Sequence, residues 1–319
     1  MTDRHRTEWA DHPALITTDR CLSYGELSEL VAEAGSKLRH DQRQLVHLPM
    51  TTSVEAIVAL LATIESGNVA LITTDDPDQA EPIVTRYRPD ATWSSNGLTS
   101  HREPQHLLHP ELAALLSTSG STGSAKLVRL SATNLVSNAD AIARSLGLGP
   151  DDRAITSLPL HYSYGLSVLT SHLRVGASLV VSDTSFIESE FWDEIQQHQV
   201  TNMAVVPLMA QLIAAHGGVP DDVTSLRFIT QAGGKLEPHE ATQWAEASRR
   251  AGRKFYVMYG QTEATARMTP TPWDAPSPTR ASTLRRWMTW PTCPRVRASW
   301  CLAAPGSCLA TPNTATIWR

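Results

Sequence analysis

The first helix the pattern predicts begins at Ser23. Ser23 and Glu26 stand three apart, the spacing of a capping box, and Leu27, Leu30, Val31, Ala34 and Leu38 then recur at helical intervals. A second helix is predicted to start after Thr52 or Ser53, to bury Ile57, Leu60, Leu61 and Ile64, and to stop at Gly67. Residues 69–73 read as a strand, and 134–146 as a further helix ending at Gly147.

Short β-prone runs follow at 154–158, 178–181, 201–206, 226–230 and 255–258. Helical segments separate them at 165–174, 188–198, 207–216 and 238–251, with Pro207 suited to a first helical turn. This alternation predicts an α/β protein with largely parallel sheets and ligands at the C-terminal ends of the strands. The apolar run 112–116 is a strand of this kind, and it empties directly into a polar loop.

Composition narrows the class. A chain of 319 residues, 41% hydrophobic, can bury a sizeable core, and its length suggests two or three units. A net charge of −5 argues against nucleic-acid binding and leaves no basic patch for membranes. The first eleven residues are polar and charged, and no run reaches the roughly 18 apolar residues of a membrane span. Only Cys21 falls in the first 290 residues, so no disulfide framework is expected. The expectation is a soluble, cytoplasmic protein.

The sequence changes character near Met268. Residues 270–319 hold five of the nine tryptophans and three of the four cysteines, Cys293, Cys301 and Cys308. They also hold six of the 27 basic residues and one of the 32 acidic ones, leaving −10 for the rest of the chain against +5 here. No helical or alternating period lasts, and prolines interrupt it throughout. A zinc site is disfavoured because the three cysteines lack the close pairs that zinc modules use. A reading-frame shift in a GC-rich gene would generate this mixture, so residues 269–319 are expected to be disordered or frameshift-derived.

The polar loop carries the chemistry. Thr118-Ser119-Gly120-Ser121-Thr122-Gly123-Ser124-Ala125-Lys126 offers hydroxyls, free backbone N–H groups and one cation, an array suited to a polyphosphate. It lacks the G-K-[ST] ending of the common P-loop. A flexible Ser/Gly linker is the plain alternative. The stretch resembles the T-S-G-[ST]-T-G-x-P-K signature of the AMP-forming adenylating enzymes (acyl- and aryl-CoA ligases, peptide-synthetase adenylation domains and luciferases), with Ala125 where proline is usual.

Three further segments resemble that family. Tyr259-Gly260-Gln261-Thr262-Glu263 matches its Y-G-x-T-E motif in full. An aromatic ring can stack on adenine, a threonine hydroxyl can donate to the α-phosphate, and a carboxylate offers a hard oxygen to Mg²⁺. A strand-to-helix turn with Thr and Glu near the helix start is the alternative. Gly233 and Gly234 match a segment whose backbone flanks the adenine, although a plain turn explains two glycines nearly as well. Pro159-Leu160-His161-Tyr162-Ser163-Tyr164-Gly165 resembles P-x-x-H-x-x-G at the border of the acid pocket, with His161 as its candidate residue; a structural histidine is the alternative. Amino-acid-activating members usually carry an aspartate here. Tyr162, Ser163 and Tyr164 supply no charge for a substrate ammonium, which favours an acid without an α-amino group. His101, His106 and His109 read as solvated, and Glu190, Asp193 and Glu194 as a wet helix face.

The resemblance implies the large N-terminal domain of an acyl-adenylate-forming enzyme, incomplete over 1–268, with stacked, largely parallel sheets flanked by helices. It implies ATP-dependent activation of a fatty, aryl or other carboxylic acid, then transfer to CoA or a phosphopantetheinyl carrier. Thr118, Ser119, Gly120, Ser121, Thr122, Gly123 and Lys126 would hold the β- and γ-phosphates. Tyr259, Gly260 and Gln261 with Gly233 and Gly234 would hold the adenosine, Thr262 the α-phosphate, Glu263 the Mg²⁺, and His161 the pocket wall. The family's Y-x-T-G-D segment, and the lysine of its small C-terminal domain, have no match in 269–319. Weak or absent turnover is therefore expected, with a poorly folded sheet edge at the truncation; amino-acid adenylation and a non-catalytic ATP-binding remnant are the alternatives.

Overall fold

The computed structural model describes residues 8–38, 40–117 and 127–272. The chain opens with β1 (Pro13–Ile16), β2 (Cys21–Ser23), α1 (Tyr24–Ser36), β3 (Leu45–Met50), α2 (Val54–Glu65), β4 (Val69–Thr74) and α3 (Pro77–Tyr87). It continues through β5 (Ala91–Ser94), β6 (Gly97–Ser100), β7 (Leu112–Ser117), β8 (Leu127–Ser131), α4 (Ala132–Leu146), β9 (Arg153–Ile155) and α5 (Ser163–Leu173). Then come β10 (Ser178–Val180), α6 (Ser189–Gln197), β11 (Asn202–Val205), α7 (Pro207–Ala215), β12 (Phe228–Gln231) and α8 (Pro238–Arg250). β13 (Lys254–Gln261), a 3-10 turn (Thr262–Ala264) and β14 (Ala266–Pro272) close the described chain.

Two mixed sheets form. One has the order β14-β13-β12-β11-β9-β10-β1-β2, parallel except at its two ends. The other has the order β6-β5-β3-β4-β7-β8, again with antiparallel strands only at the edges. Helices lie between them. α1 rests on β1 and β2, α2 on β3 and β4, and the two helices pack on each other; α4 meets β7 and β8 while α5 meets β9, β10 and β14. One apolar core runs through both sheets, and a smaller one around Leu45, Val69, Leu71 and Tyr87 lies under α3.

Local signals set the helix ends. The Glu26 N–H donates to Ser23 Oγ (3.2 Å) while the Ser23 N–H donates to Glu26 Oε2 (2.7 Å). Ser53 caps α2, and Gly147 closes α4 in the left-handed region (φ 65°). An inner helix has no wet face, and its sequence shows it: ten of the eleven residues of α5 are buried. Five of those ten, Ser163, Ser167, Thr170, Ser171 and His172, are polar.

Several expectations change. The strands are shorter than the β-prone runs, except β13, which extends through Gln261 and takes in most of the Y-G-x-T-E segment. That motif leads into a 3-10 turn and an antiparallel strand, not into a helix. β14 crosses Met268 and pairs as far as Pro272 with Tyr256, so β13 has a partner strand on its outer side. Its prolines cost little on an edge strand. His106 is largely enclosed, with Nε2 2.9 Å from the Arg88 carbonyl and 3.7 Å from Asp90, rather than solvated. Glu194 is half-buried and accepts a hydrogen bond from Thr184 Oγ1 (2.9 Å). No helix among the described residues is long and apolar enough to cross a membrane.

Candidate active site

Three separated segments meet at the C-terminal ends of β12 and β13. The turn after β12 has Gly233 at φ 84°, where a Cβ would stand 2.5 Å from Tyr162 Oη and 3.0 Å from Val206 Cγ1. Only glycine suits both the backbone and that approach. A Cβ on Gly234 would stand 3.1 Å from Pro207 Cγ. Gln231, fully buried, braces the turn by donating from Nε2 to the carbonyls of Gly234 (3.1 Å) and Ala232 (3.3 Å). Its Oε1 is buried and has no hydrogen-bond partner among the described residues.

The second segment is the end of β13 with its turn. Tyr259 is 56% exposed, an open aromatic face for a stacking ligand. Thr262 Oγ1 lies 3.1 Å from Ser163 Oγ at the start of α5, which joins two motifs 99 residues apart. Glu263 is exposed at the second position of the turn. Thr265 then takes the left-handed conformation (φ 61°), its N–H donating to the Thr262 carbonyl, and sends the chain back as β14.

The third segment holds the candidate histidine. His161 is partly buried, and burial pulls its imidazole below the ordinary range, against the opposing influence of Asp75 and the Met50 backbone. Met50 ends β3 and Asp75 follows β4, so the ring lies near those strand ends in the other sheet, and its buried Nδ1 has no partner among the described residues. Tyr162, not His161, stands over Gly233. The sequence carried that signal: P-x-x-H-x-x-G spans seven positions, and between Pro159 and Gly165 the fourth is Tyr162. Tyr164 Oη donates to Thr230, with the carbonyl at 2.9 Å and Oγ1 at 2.8 Å, which ties α5 to β12.

Sequence reasoning also passed over Arg267, on β14. It is 4% exposed, its Cζ lies 5.3 Å from the centre of the Tyr164 ring, and it donates to Ser167 and Ser171 of α5. A single arginine five residues beyond Thr262 gives no pattern to read. The expected phosphate loop between β7 and β8, with Thr118, Ser119, Gly120, Ser121, Thr122, Gly123 and Lys126, lies outside the described residues, and so do Cys293, Cys301 and Cys308 beyond β14.

Among the described residues no three His, Cys, Asp or Glu side chains gather in a metal-binding group. Mg²⁺ carried on a nucleotide needs only one or two protein carboxylates, with the phosphates supplying the rest. The exposed Glu263 carboxylate beside the Thr262 hydroxyl fits that demand.

The family model for AMP-binding enzymes matches residues 71–286. The chain belongs to that family. It is 36% identical over 186 residues to sulfoacetate–CoA ligase of Cupriavidus necator, covering 54% of this chain and 35% of that protein. It is 25% identical over 291 residues to tyrocidine synthase 2 of Brevibacillus parabrevis, covering 80% of this chain and 8% of that one. The chain thus spans about a third of the first relative's length and less than a tenth of the second's. The crystal structure of ATP-bound MatB from Rhodopseudomonas palustris superposes with a TM-score of 0.70 at 21% identity, over 83% of this chain and 59% of that one. At that identity the likeness establishes the fold: two stacked, largely parallel sheets with helices, as in the N-terminal part of adenylating enzymes. The AMP-binding match includes β12, β13 and β14, the elements that carry the turns just described.

Proposed function

We propose that this chain binds Mg-ATP and a carboxylic acid across the ends of β12 and β13, where the acid is activated as an acyl-adenylate for transfer to the thiol of CoA or a carrier. The observation that carries this reading is the 3.1 Å contact between Ser163 and Thr262, which brings the acid-pocket segment against the nucleotide segment. Tyr259 stacks on adenine, and the Gly233–Gly234 backbone lies along its edge. Thr262 donates to the α-phosphate, and Tyr162 walls the acid side, with His161 next to it toward the ends of β3 and β4. Thr118–Lys126 takes the β- and γ-phosphates. Glu263 would hold the Mg²⁺, which offsets phosphate charge when bound. The chain's own part is to place a carboxylate oxygen in line with the α-phosphate and to aim donors at the charge that develops there.

Calorimetric titration with Mg-ATP tests the nucleotide half. Wild type is expected to bind, and Glu263→Gln or Lys126→Ala to weaken binding at least tenfold. Equal affinity in all three proteins sinks the assignment. The similarity to tyrocidine synthase 2 keeps amino-acid activation as a second reading. Tighter binding of an α-amino acid than of its deaminated analogue would favour it.

A further inference from the structure

We infer that the acid this site takes carries a second anionic group, a carboxylate or sulfonate at the far end of a short chain, and that Arg267 is the residue that receives it. The inference rests on the reading above and adds the class of acid. A guanidinium presents five N–H donors in one plane and is always charged. In Arg267 those donors meet only neutral acceptors: Nε reaches Ser167 Oγ (2.9 Å), Nη2 reaches the Ser167 carbonyl (3.1 Å) and Ser171 Oγ (3.3 Å), and Nη1 has only Met258 Sδ at 3.9 Å. Among the described residues no carboxylate lies within ion-pair distance of it, although Arg102, Arg174 and Arg227 each have one; Arg253 shares that lack but is the less enclosed of the two and donates to the Val223 carbonyl. Burying a cation without a counter-charge is costly, so a buried arginine held only by hydroxyls, one backbone carbonyl and a sulfur is poised for an anion. Burial lowers its pKa to about 10, which leaves it protonated at neutral pH.

Its position says which anion. Ser163, at the Thr262 contact, and Ser167, at the guanidinium, are four residues apart on α5. That places the cation about 6 Å along the helix from the reacting end. A three- or four-carbon skeleton with bonds of about 1.5 Å spans a gap of that order when a carboxylate reaches from each end. The guanidinium carbon lies 5.3 Å from the centre of the Tyr164 ring, and the Tyr162 ring meets Tyr164 edge-on at 6.4 Å, so two aromatic rings stand between the Ser163 contact and the cation. A long apolar chain at this depth would meet a charged group and gain nothing from it.

The test uses the full 319-residue chain with Mg²⁺ and α,β-methylene-ATP, an analogue that cannot release pyrophosphate. Malonate and succinate are titrated against propionate and butyrate, with protein-free blanks for metal binding by the acids. The diacids are expected to bind at least tenfold more tightly than the monoacids of equal length. Arg267→Met is expected to erase that preference while keeping nucleotide affinity, and Arg267→Lys to keep part of it. Equal affinities in wild type, or a preference that survives in Arg267→Met, overturns the inference and leaves the ATP reading standing. Failure of wild type to bind the analogue overturns that reading and this inference together. If Arg267→Met does not fold, the wild-type comparison and Arg267→Lys decide. An arginine that only pins β14 to α5 would shift the melting temperature on substitution, with no diacid preference in wild type.

Discussion

Gly165→Ala is expected to lower the melting temperature by roughly 10 °C and to abolish nucleotide binding. A Cβ at Gly165 would stand 2.3 Å from the Pro159 carbonyl oxygen and 2.9 Å from that of Leu158. Both obstacles are backbone. The Pro159 carbonyl is also held in place, since it accepts the Tyr162 N–H at 3.1 Å. Overpacking a core costs about 1–3 kcal/mol, occasionally more, and fixed backbone obstacles put this case at about 3 kcal/mol. For a domain of this size that corresponds to roughly 10 °C. The strain falls on the segment that places Tyr162 over Gly233 and Ser163 against Thr262, so binding is lost even while the fold survives. Gly149 is the control, because a Cβ there meets nothing within 4 Å. Gly149→Ala should leave melting and binding unchanged. Thermal denaturation of the two variants checks the prediction, and an unaffected Gly165→Ala protein would mean that α5 is seated differently from this description.

Acid is expected to weaken the fold between about pH 6.5 and pH 4, through two buried histidines. Burial lowers His172 to about 4, chiefly by desolvation, with Arg267 adding to the effect and the Val168 carbonyl and Asp152 opposing it. Burial likewise lowers His47 to about 4, with His101 contributing. Each is neutral in the folded protein and protonates more readily in the unfolded chain, whose histidines titrate near 6.5. The unfolded state therefore binds more protons across this window, and stability falls as pH falls. Above pH 6.5 the contribution is complete, and below pH 4 it is spent. The loss is about 3 kcal/mol for the enclosed His172 and less for His47, whose ring nitrogens face the hydroxyls of Thr73 and Thr92. Urea denaturation at pH 7.5, 5.5 and 4.5 measures it. His172→Gln should flatten much of the slope, and an unchanged slope would place the acid sensitivity elsewhere.

Near Arg267 the two effects converge. His172 lies on α5 and Arg267 packs onto that helix from β14, so protonating the histidine sets a second cation near the guanidinium. The helix that presents Ser163 to the nucleotide segment also carries, four and eight residues on, the two serines that hold the buried arginine. This explains why an internal helix keeps hydroxyls where aliphatic side chains would pack as well. They accept hydrogen bonds from a charged group that the strand beyond Thr265 delivers, without neutralising it.

The amino-acid sequence by itself determined whatever rests on local chemistry. Ser23, Ser53 and Gly147 mark helix ends because capping is settled within a few residues, and α1, α2 and α4 lie where apolar spacing put them. The glycine pair after β12 and the Thr-Glu pair after β13 were legible for the same reason, as turn residues with donors and acceptors. Tertiary structure decided the rest. β3 was illegible because His47 and Pro49 break its apolar run, and it forms only because β4 pairs along its whole length while β5 stops at His47. β14 ignores the compositional change at Met268, since backbone pairing with β13 needs no particular side chains. The wall of the site depended on a one-residue register, which aims Tyr162 at Gly233 and turns His161 toward the other sheet. Arg267 is an ordinary surface residue by type. Only the left-handed turn at Thr265 and the closing of β14 onto α5 bury it, because burial is a property of elements brought together over a hundred residues and no local pattern records it.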